Sequence, residues 1–561
     1  MGMLRFGFVL SLFAGCVWAQ PGMGPRRGGP GAQQQFEEGT AKVEGTVTHR
    51  RTGEPVGRAM VYLTKSDGSQ GLSLMAGADG KFVFEKVARG VYRVTAERRG
   101  FLRGEYGTRR YGQRGGLITL TDGQELKGAD VKLDPQSVIA GQILDENGEP
   151  MPRVQVMAWK RLPAAGRQGG PAGNDATDDR GEFRIAGLGP GKYFLQATAF
   201  GREVGLARNV RRADGGETDS YVSTYFPVTT EMASATPIEL GVGQEFLGLS
   251  MQVKKARVFR VKGTIQGGET PGLRVMAVPR GRVRGFVGPG MNTSVSRDGR
   301  FELSGLAAGS YTVMAMRGGG PGGPGGTARA VVEVGSADVE GVQLVFGTAL
   351  SVQGGVKVEG GGALESGNLR VYLVNDEVQF ASPSARVNAD GTFSIDGVMP
   401  DRYRLATIYM GRGYYVKSAT MGGQDVKGKV LDFTSGAAGR IEVVLGNKPA
   451  AVSGTVSKAA QESLPGMVVL VAEGAEVEQM GSGPMPTNRW EVSVDQNGAF
   501  FMDNVPPGEY RVYAFEEFDA NEMYDPEYLK KVEGASEKVK LGEGESKTLS
   551  LKQIPGGEGL L

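Results

Sequence analysis

A Gly-x-Phe turn followed ten residues later by a Tyr occurs at five places along this chain, and that repeat constrains its fold more than any other feature. The copies are Asp79-Gly80-Lys81-Phe82 with Tyr92, Gly181-Glu182-Phe183 with Tyr193, and Asp298-Gly299-Arg300-Phe301 with Tyr311. Asp390-Gly391-Thr392-Phe393 with Tyr403 and Asn497-Gly498-Ala499-Phe500 with Tyr510 complete the set. A Gly stands two residues before the Tyr in four copies (Gly90, Gly191, Gly309, Gly508), and Asp401 replaces it in the fourth. Asp-Gly and Asn-Gly are hairpin turns, because both residues tolerate positive φ. After the turn, apolar residues alternate: Phe82 and Phe84, Phe183 and Ile185, Phe301 and Leu303, Phe393 and Ile395, Phe500 and Met502. Period two places each pair on one buried face of a strand. An apolar plug (Val87, Leu188, Leu306, Val398, Val505) precedes the second turn, and the Tyr strand follows it.

Upstream of each turn lies an opening strand of form apolar-x-Gly-x-apolar: Val43 to Val47, Ile139 to Ile143, Val261 to Ile265, Val352 to Val356 and Val452 to Val456. Its central Gly predicts close approach of another backbone or an aromatic ring. A middle strand comes next (Met60 to Leu63, Val154 to Trp159, Leu273 to Val278, Leu369 to Val374, Met467 to Val471), and most units close with two more strands around a Gly-rich turn. About seven short strands per unit predict an all-β chain, a tandem array of five antiparallel seven-stranded β-sandwiches. The expected boundaries are 41–134, 135–256, 257–347, 348–447 and 448–556, after a Gly/Pro/Gln-rich disordered tail at 20–40. Short linkers such as Asp134-Pro135 predict a semi-rigid curved rod. One helix is expected, with Asp525 as N-cap and Pro526 at its first position.

Residues 1–19 read as a signal peptide: Arg5 leads an apolar run from Phe6 to Ala14, and Val17-Trp18-Ala19 fits a cleavage site. Leu12-Phe13-Ala14-Gly15-Cys16 also fits a lipoprotein box, so Cys16 is either removed or becomes a lipid anchor. Export to the extracellular space or the cell envelope, periplasm or outer membrane, follows from either route. No later stretch is long and apolar enough for a transmembrane helix. Cys16 is the sole cysteine, so each unit must be held by its core rather than by disulfides. Lys and Arg total 64 against 62 Asp and Glu, a balance that argues against a nucleic-acid partner. Arg98-Arg99, Arg109-Arg110 and Arg211-Arg212 read as solvated loop charge.

The opening strand Val43-Glu44-Gly45-Thr46-Val47, the Asp-Gly-x-Phe turn and the Pro-Gly-x-Tyr turn (Pro190-Gly191, Pro507-Gly508) together resemble the carboxypeptidase regulatory-like domain. That domain is a transthyretin-like (prealbumin-like) sandwich related to carbohydrate-binding-like and collagen-binding B-type repeats. Tyr415-Val416-Lys417 with Gly422 to Val426, and Tyr225-Phe226-Pro227 with Ala235 to Ile238, resemble segments of large exported proteins of soil bacteria that end in such arrays. The resemblance implies a sandwich fold and no catalysis. Collagen-binding relatives can lock themselves with a Lys–Asn isopeptide bond. Lys42 and Lys262 lie near opening strands, but Gln353 and Ser453 hold that place in two other units, so no repeated bond is implied.

The sequence supplies no catalytic site. A zinc peptidase needs two His, and the chain has only His49, expected in a solvated turn. A hydrolase triad lacks a nucleophile elbow. Asp145-Glu146-Asn147-Gly148 and Asp495-Gln496-Asn497-Gly498 open like calcium loops, yet Val156 and Pro506 stand where the closing Glu belongs, so these read as turns without metal or cofactor. The loops after the Tyr strands differ between units and are rich in rings: Tyr106 and Tyr111; Tyr221 and Tyr225; Tyr409, Tyr414 and Tyr415; Tyr524 and Tyr528. Variable loops on a fixed sandwich are where binding evolves, and these are the candidate ligand-binding residues, with a polysaccharide or a cell-envelope protein as partner. Packing against neighbouring units is the competing role for the same rings, and a structural spacer without a ligand is the alternative function.

Overall fold

A computed structural model describes residues 38–161, 168–199, 218–267, 272–280, 292–317, 326–347, 349–362, 364, 369–375, 382–408, 413–457, 465–474, 488–518 and 526–555. The signal peptide, Cys16, Tyr409, Tyr524 and the Asp525 cap lie outside them. The described chain is all-β apart from one α-helix, Pro526–Val532, and a few single 3-10 turns.

Each unit builds two facing sheets. In the first, Lys81–Val87 and the closing strands Glu125–Leu126 and Val131–Leu133 flank the opening strand Glu38–His49. The second sheet runs Gly71–Met75, Met60–Lys65, Gly90–Glu97, Gly104–Glu105, with Ile118–Leu120 also on Gly90–Glu97. The fifth unit shows the plan most simply: Ala499–Val505, Ala450–Ser457, Ser546–Lys552 face Arg489–Ser493, Met467–Ala472, Gly508–Phe515, Glu537–Leu541. Most pairings are antiparallel, but in all five units the opening strand runs parallel to the closing strand. The first and last strands of a unit leave the sheet at opposite ends, which suits a chain that must pass on to the next unit. The opening strand also starts at Glu38, inside the segment expected as tail.

The repeat positions form the core. All five plugs are at most 1% exposed, and the ten alternating residues after the turns are 5% exposed or less. Buried residues gather into one cluster per unit, with a further cluster under the helix that includes Tyr513, Phe515, Phe518, Tyr528 and Val532. Tyr513 and Phe515 stack in it with centroids 5.6 Å apart. Two glycine positions explain why the motif is written as it is. Gly80, Gly181, Gly299, Gly391 and Gly498 all have φ between 71° and 83°, which the hairpin turn demands. In the opening strands a Cβ on Gly354 would lie 2.0 Å from the Phe393 ring, and on Gly263 2.5 Å from the Phe301 ring. At Gly45, Gly263 and Gly354 the opening-strand Gly makes room for the motif Phe of its own unit, whereas Gly141 and Gly454 lie against the closing strand at Leu249 and Leu549.

Two strands depart from the expected plan. Thr218–Tyr221, inside the range expected for the second unit, pairs antiparallel with Lys255–Gln266, the opening strand of the third. Tyr415–Met421 adds to the opening-strand sheet of the fourth unit by pairing with Ile441–Gly446.

Candidate functional site

The polar groups of the repeat are used up by the fold itself. In four copies the Tyr hydroxyl donates to the carbonyl four residues back: Tyr92 to Ala88 at 2.8 Å, Tyr193 to Gly189 at 2.7 Å, Tyr311 to Ala307 at 2.9 Å, Tyr510 to Pro506 at 2.5 Å. Tyr403 likewise bonds the backbone of Met399, four residues back. Burial, the largest cause, pushes Tyr193, Tyr403 and Tyr510 up to about 12. This hydrogen bond staples the second turn over the ring that fills the core, and the constant spacing was its only trace in the sequence.

The turn acids behave likewise. Asp145 accepts the amides of Asn147 and Glu149 at 2.8 Å, and Asp495 those of Asn497 at 2.9 Å and Ala499 at 2.8 Å. Their carboxylates act as turn caps, and among the described residues no cluster of three or more His, Cys, Asp or Glu could hold a metal ion. His49 is half-buried rather than solvated: its Nδ1 accepts the amides of Arg51 and Thr52, both at 3.2 Å, and its ring meets Phe101 edge-on at 5.9 Å. Lys42 and Lys262 make ion pairs with Glu44 at 2.5 Å and Glu340 at 3.0 Å.

The described candidate tyrosines are half-buried or buried, and several of them build the joints between units. Tyr106 packs on the first core. Tyr111 lies across Gly189 of the second unit, where a Cβ would stand 2.2 Å from its ring. Tyr225 is 3% exposed and Tyr528 8%, both inside their own unit. Tyr221 donates to Glu146 at 2.7 Å, while Lys255 sits 4.8 Å over its ring and pairs with the same carboxylate. Burial, then the Glu146 carboxylate, pushes Tyr221 up to about 12. Burial opposes ionisation of Glu146, but the hydrogen bonds from Lys255 and Tyr221 hold it below the ordinary carboxylate range. Tyr414 packs on the fourth core. Tyr415 covers Gly446 and donates to Glu543 of the fifth unit at 3.2 Å. Beside it Lys417 bonds Glu359 at 2.6 Å and Glu543 at 2.5 Å, and those two carboxylates hold its ammonium above the usual lysine range.

Charged residues fix the linkers and joints as well. Arg50 meets Asp134 at 2.8 Å, at the linker to the second unit, and also donates to Thr108 Oγ1 at 3.1 Å. Arg329 of the third unit meets Asp401 at 2.9 Å. That contact explains the fourth copy's exception to the Gly rule, a signal visible in the sequence but not readable there. The first unit also touches the fifth. Gln496 accepts from the Thr119 amide at 2.9 Å and donates to the Thr119 carbonyl at 2.8 Å. Leu117 donates its amide to Val494 at 3.1 Å, and Arg110 meets Glu517 at 2.6 Å. The Arg109-Arg110 pair, expected as solvated charge, is thus committed to a contact with the opposite end of the array.

No helix among the described residues is long and apolar enough to cross a membrane. No curated protein matches the sequence. Among solved structures, a minor pilin of Streptococcus agalactiae is 14% identical, aligned over 39% of this chain and 97% of its own, with a TM-score of 0.22. The major pilin subunit of Bacillus cereus is 11% identical over 74% of this chain and 99% of its own, with a TM-score of 0.15. The full-length RrgB pilus protein of Streptococcus pneumoniae is 9% identical over 75% and 98%, with a TM-score of 0.14. The carboxypeptidase regulatory-like domain model matches residues 42–134 and 138–222, the first two copies of the repeat. Those two segments, about a third of the chain, are therefore similar to carboxypeptidase regulatory-like domains.

Proposed function

We propose that this chain is a non-catalytic, exported scaffold: five sandwiches, bounded near 41–134, 135–256, 257–347, 348–447 and 448–556, that hold a fixed surface for a partner. One observation carries this reading. The polar groups that chemistry would need, the turn Asp, the motif Tyr and His49, are tied into turns and cores within each unit. A general acid or base must face a reacting group, and these face their own backbone. The N-terminal features of the sequence support export through a signal peptide, with Cys16 as the lipid-anchored alternative.

The partner class is a polysaccharide or a cell-envelope protein, met by the loops that carry the candidate tyrosines. A glycan and peptidoglycan array on the purified chain tests this. Binding that is lost in Tyr414→Ala/Tyr415→Ala, with the fold intact by circular dichroism, supports it. No binding to any polymer leaves the structural-spacer reading, which the use of Tyr111, Tyr221 and Tyr415 in joints favours. Hydrolysis of peptide or glycan substrates by the pure protein would overturn the non-catalytic assignment.

A further inference from the structure

The contact between the first and fifth units differs from the other joints. Consecutive units are linked by a few residues of chain, but Thr119 and Gln496 are 377 positions apart. Along the chain these two units are joined only through the long stretch between them, so the contact itself must be held by its own chemistry. Its two sides are complementary in charge. The loop between Gly104–Glu105 and Ile118–Leu120 sends out Arg109, Arg110 and Arg114, and these meet Glu516, Glu517 and Glu491 of the fifth unit. Glu516 and Glu517 are 6% and 15% exposed at the side chain, but Arg109 and Arg110 are 33% and 48% exposed, so each pair keeps one face open to water and salt. The fit is also steric: a Cβ on Gly116 would lie 2.2 Å from Pro465, and one on Gly107 2.7 Å from it. The Gln496 amide fixes register by satisfying both backbone groups of Thr119.

We propose that the arginine loop of the first sandwich and the acidic face of the fifth form an electrostatic clasp that closes the array on itself and that ionic strength opens. Exposed ion pairs fade once the Debye length falls to a few ångströms, whereas the sandwich cores are held by apolar burial and survive. Opening therefore leaves five folded units in an extended chain. It also uncovers two surfaces that the closed form hides, the basic face of Arg109, Arg110 and Arg114 and an acidic face on the last unit. This goes beyond the scaffold reading, since a spacer without a ligand could carry the same clasp.

The test is a distance measurement by double electron–electron resonance on the full chain. Nitroxides are placed on Asp122→Cys in the first unit and Lys538→Cys in the fifth, in a Cys16→Ser background. At low salt a single narrow distance is expected, and at molar salt a long, broad distribution with unchanged circular dichroism. Glu516→Arg/Glu517→Arg should lower the closed-to-open ratio at low salt by about tenfold or more. Adding Arg109→Glu/Arg110→Glu to that variant should restore the narrow distance. A broad distribution already at low salt overturns the proposal. So does a narrow distance that molar salt leaves unchanged, an arm that needs no charge variant to fold. A re-paired variant that folds yet stays open overturns it as well.

Discussion

The motif turns and the joints of this molecule follow opposite rules. Every turn uses the same few residues at the same spacing: a Gly at positive φ, a buried Phe, a plug and a Tyr bonded four residues back. No two joints use the same device. The first leans on Tyr111 packed across Gly189, the second on Tyr221, Glu146 and Lys255, the third on Arg329 and Asp401, the fourth on Tyr415, Lys417 and Glu543. A turn is a local problem with one cheap solution, so the repeat keeps it. A joint joins two surfaces that face each other once in the chain, so each is solved separately. A repeated motif therefore sets the fold, while the assembly depends on contacts that each occur once.

The sharpest way to break this contrast is to damage one motif core. Phe393→Ala removes a ring that is 3% exposed and fits against Gly354, and should cost its unit about 3–5 kcal/mol. Hydrogen exchange should accelerate in the fourth sandwich and leave the strands of the first unchanged. Loss of protection across all five units would mean that the cores are not independent.

Alkali tests three copies at once. Tyr193, Tyr403 and Tyr510 sit at about 12 when folded, against about 10 for an exposed tyrosine. Between those values the folded state holds protons that the unfolded state has released. The stabilisation is therefore complete below pH 10 and lost as pH rises through 12, roughly 2–3 kcal/mol for each buried tyrosine. Tyrosinate absorbance and circular dichroism followed in one pH ramp should change together above pH 10. Tyrosinate that appears well before the dichroism changes would show that these rings are more accessible than their burial implies.

A joint should respond more weakly and in a different place. Arg329→Ala leaves the Asp401 carboxylate, 12% exposed at the side chain, without its cation, at a cost of about 1–2 kcal/mol. The change should appear as faster exchange at the facing edges of the third and fourth units, with the Phe393 strand still protected. Asp401 also accepts the Arg402 amide at 2.8 Å, which limits the loss.

The sequence made the five cores legible because each rests on period-two burial and turn chemistry, both of which operate over a few residues. The predicted opening strands, plugs and rings lie where the spacing put them. The parallel pairing of opening and closing strands was not legible, since alternation reports a buried face and not the direction of the neighbour. Nor was the strand Thr218–Tyr221, whose partner belongs to the next unit. For the candidate site, aromatic content marked the right loops but not the destination of each ring. Tyr111 and Tyr415 turn toward neighbouring units for reasons set by domain placement, and Arg109 and Arg110 find their partners only because the ends of the array meet.

The smallest effect asks whether the motif is one device in all five copies. Tyr510→Phe deletes the hydroxyl bonded to Pro506 but keeps the ring and its edge-on contact with Trp490 at 5.5 Å, so it should cost about 1 kcal/mol. Tyr403→Phe deletes the equivalent bond to Met399 in the one copy where Asp401 replaces the Gly. If the staple is a property of the turn, the two variants should speed exchange in their own sandwiches by similar factors, about fivefold each. If Tyr403→Phe instead loosens the edge shared with the third unit, the Asp401 exception has drawn the motif itself into a joint. The boundary between repeated turn and singular joint would then run through the fourth copy rather than around it.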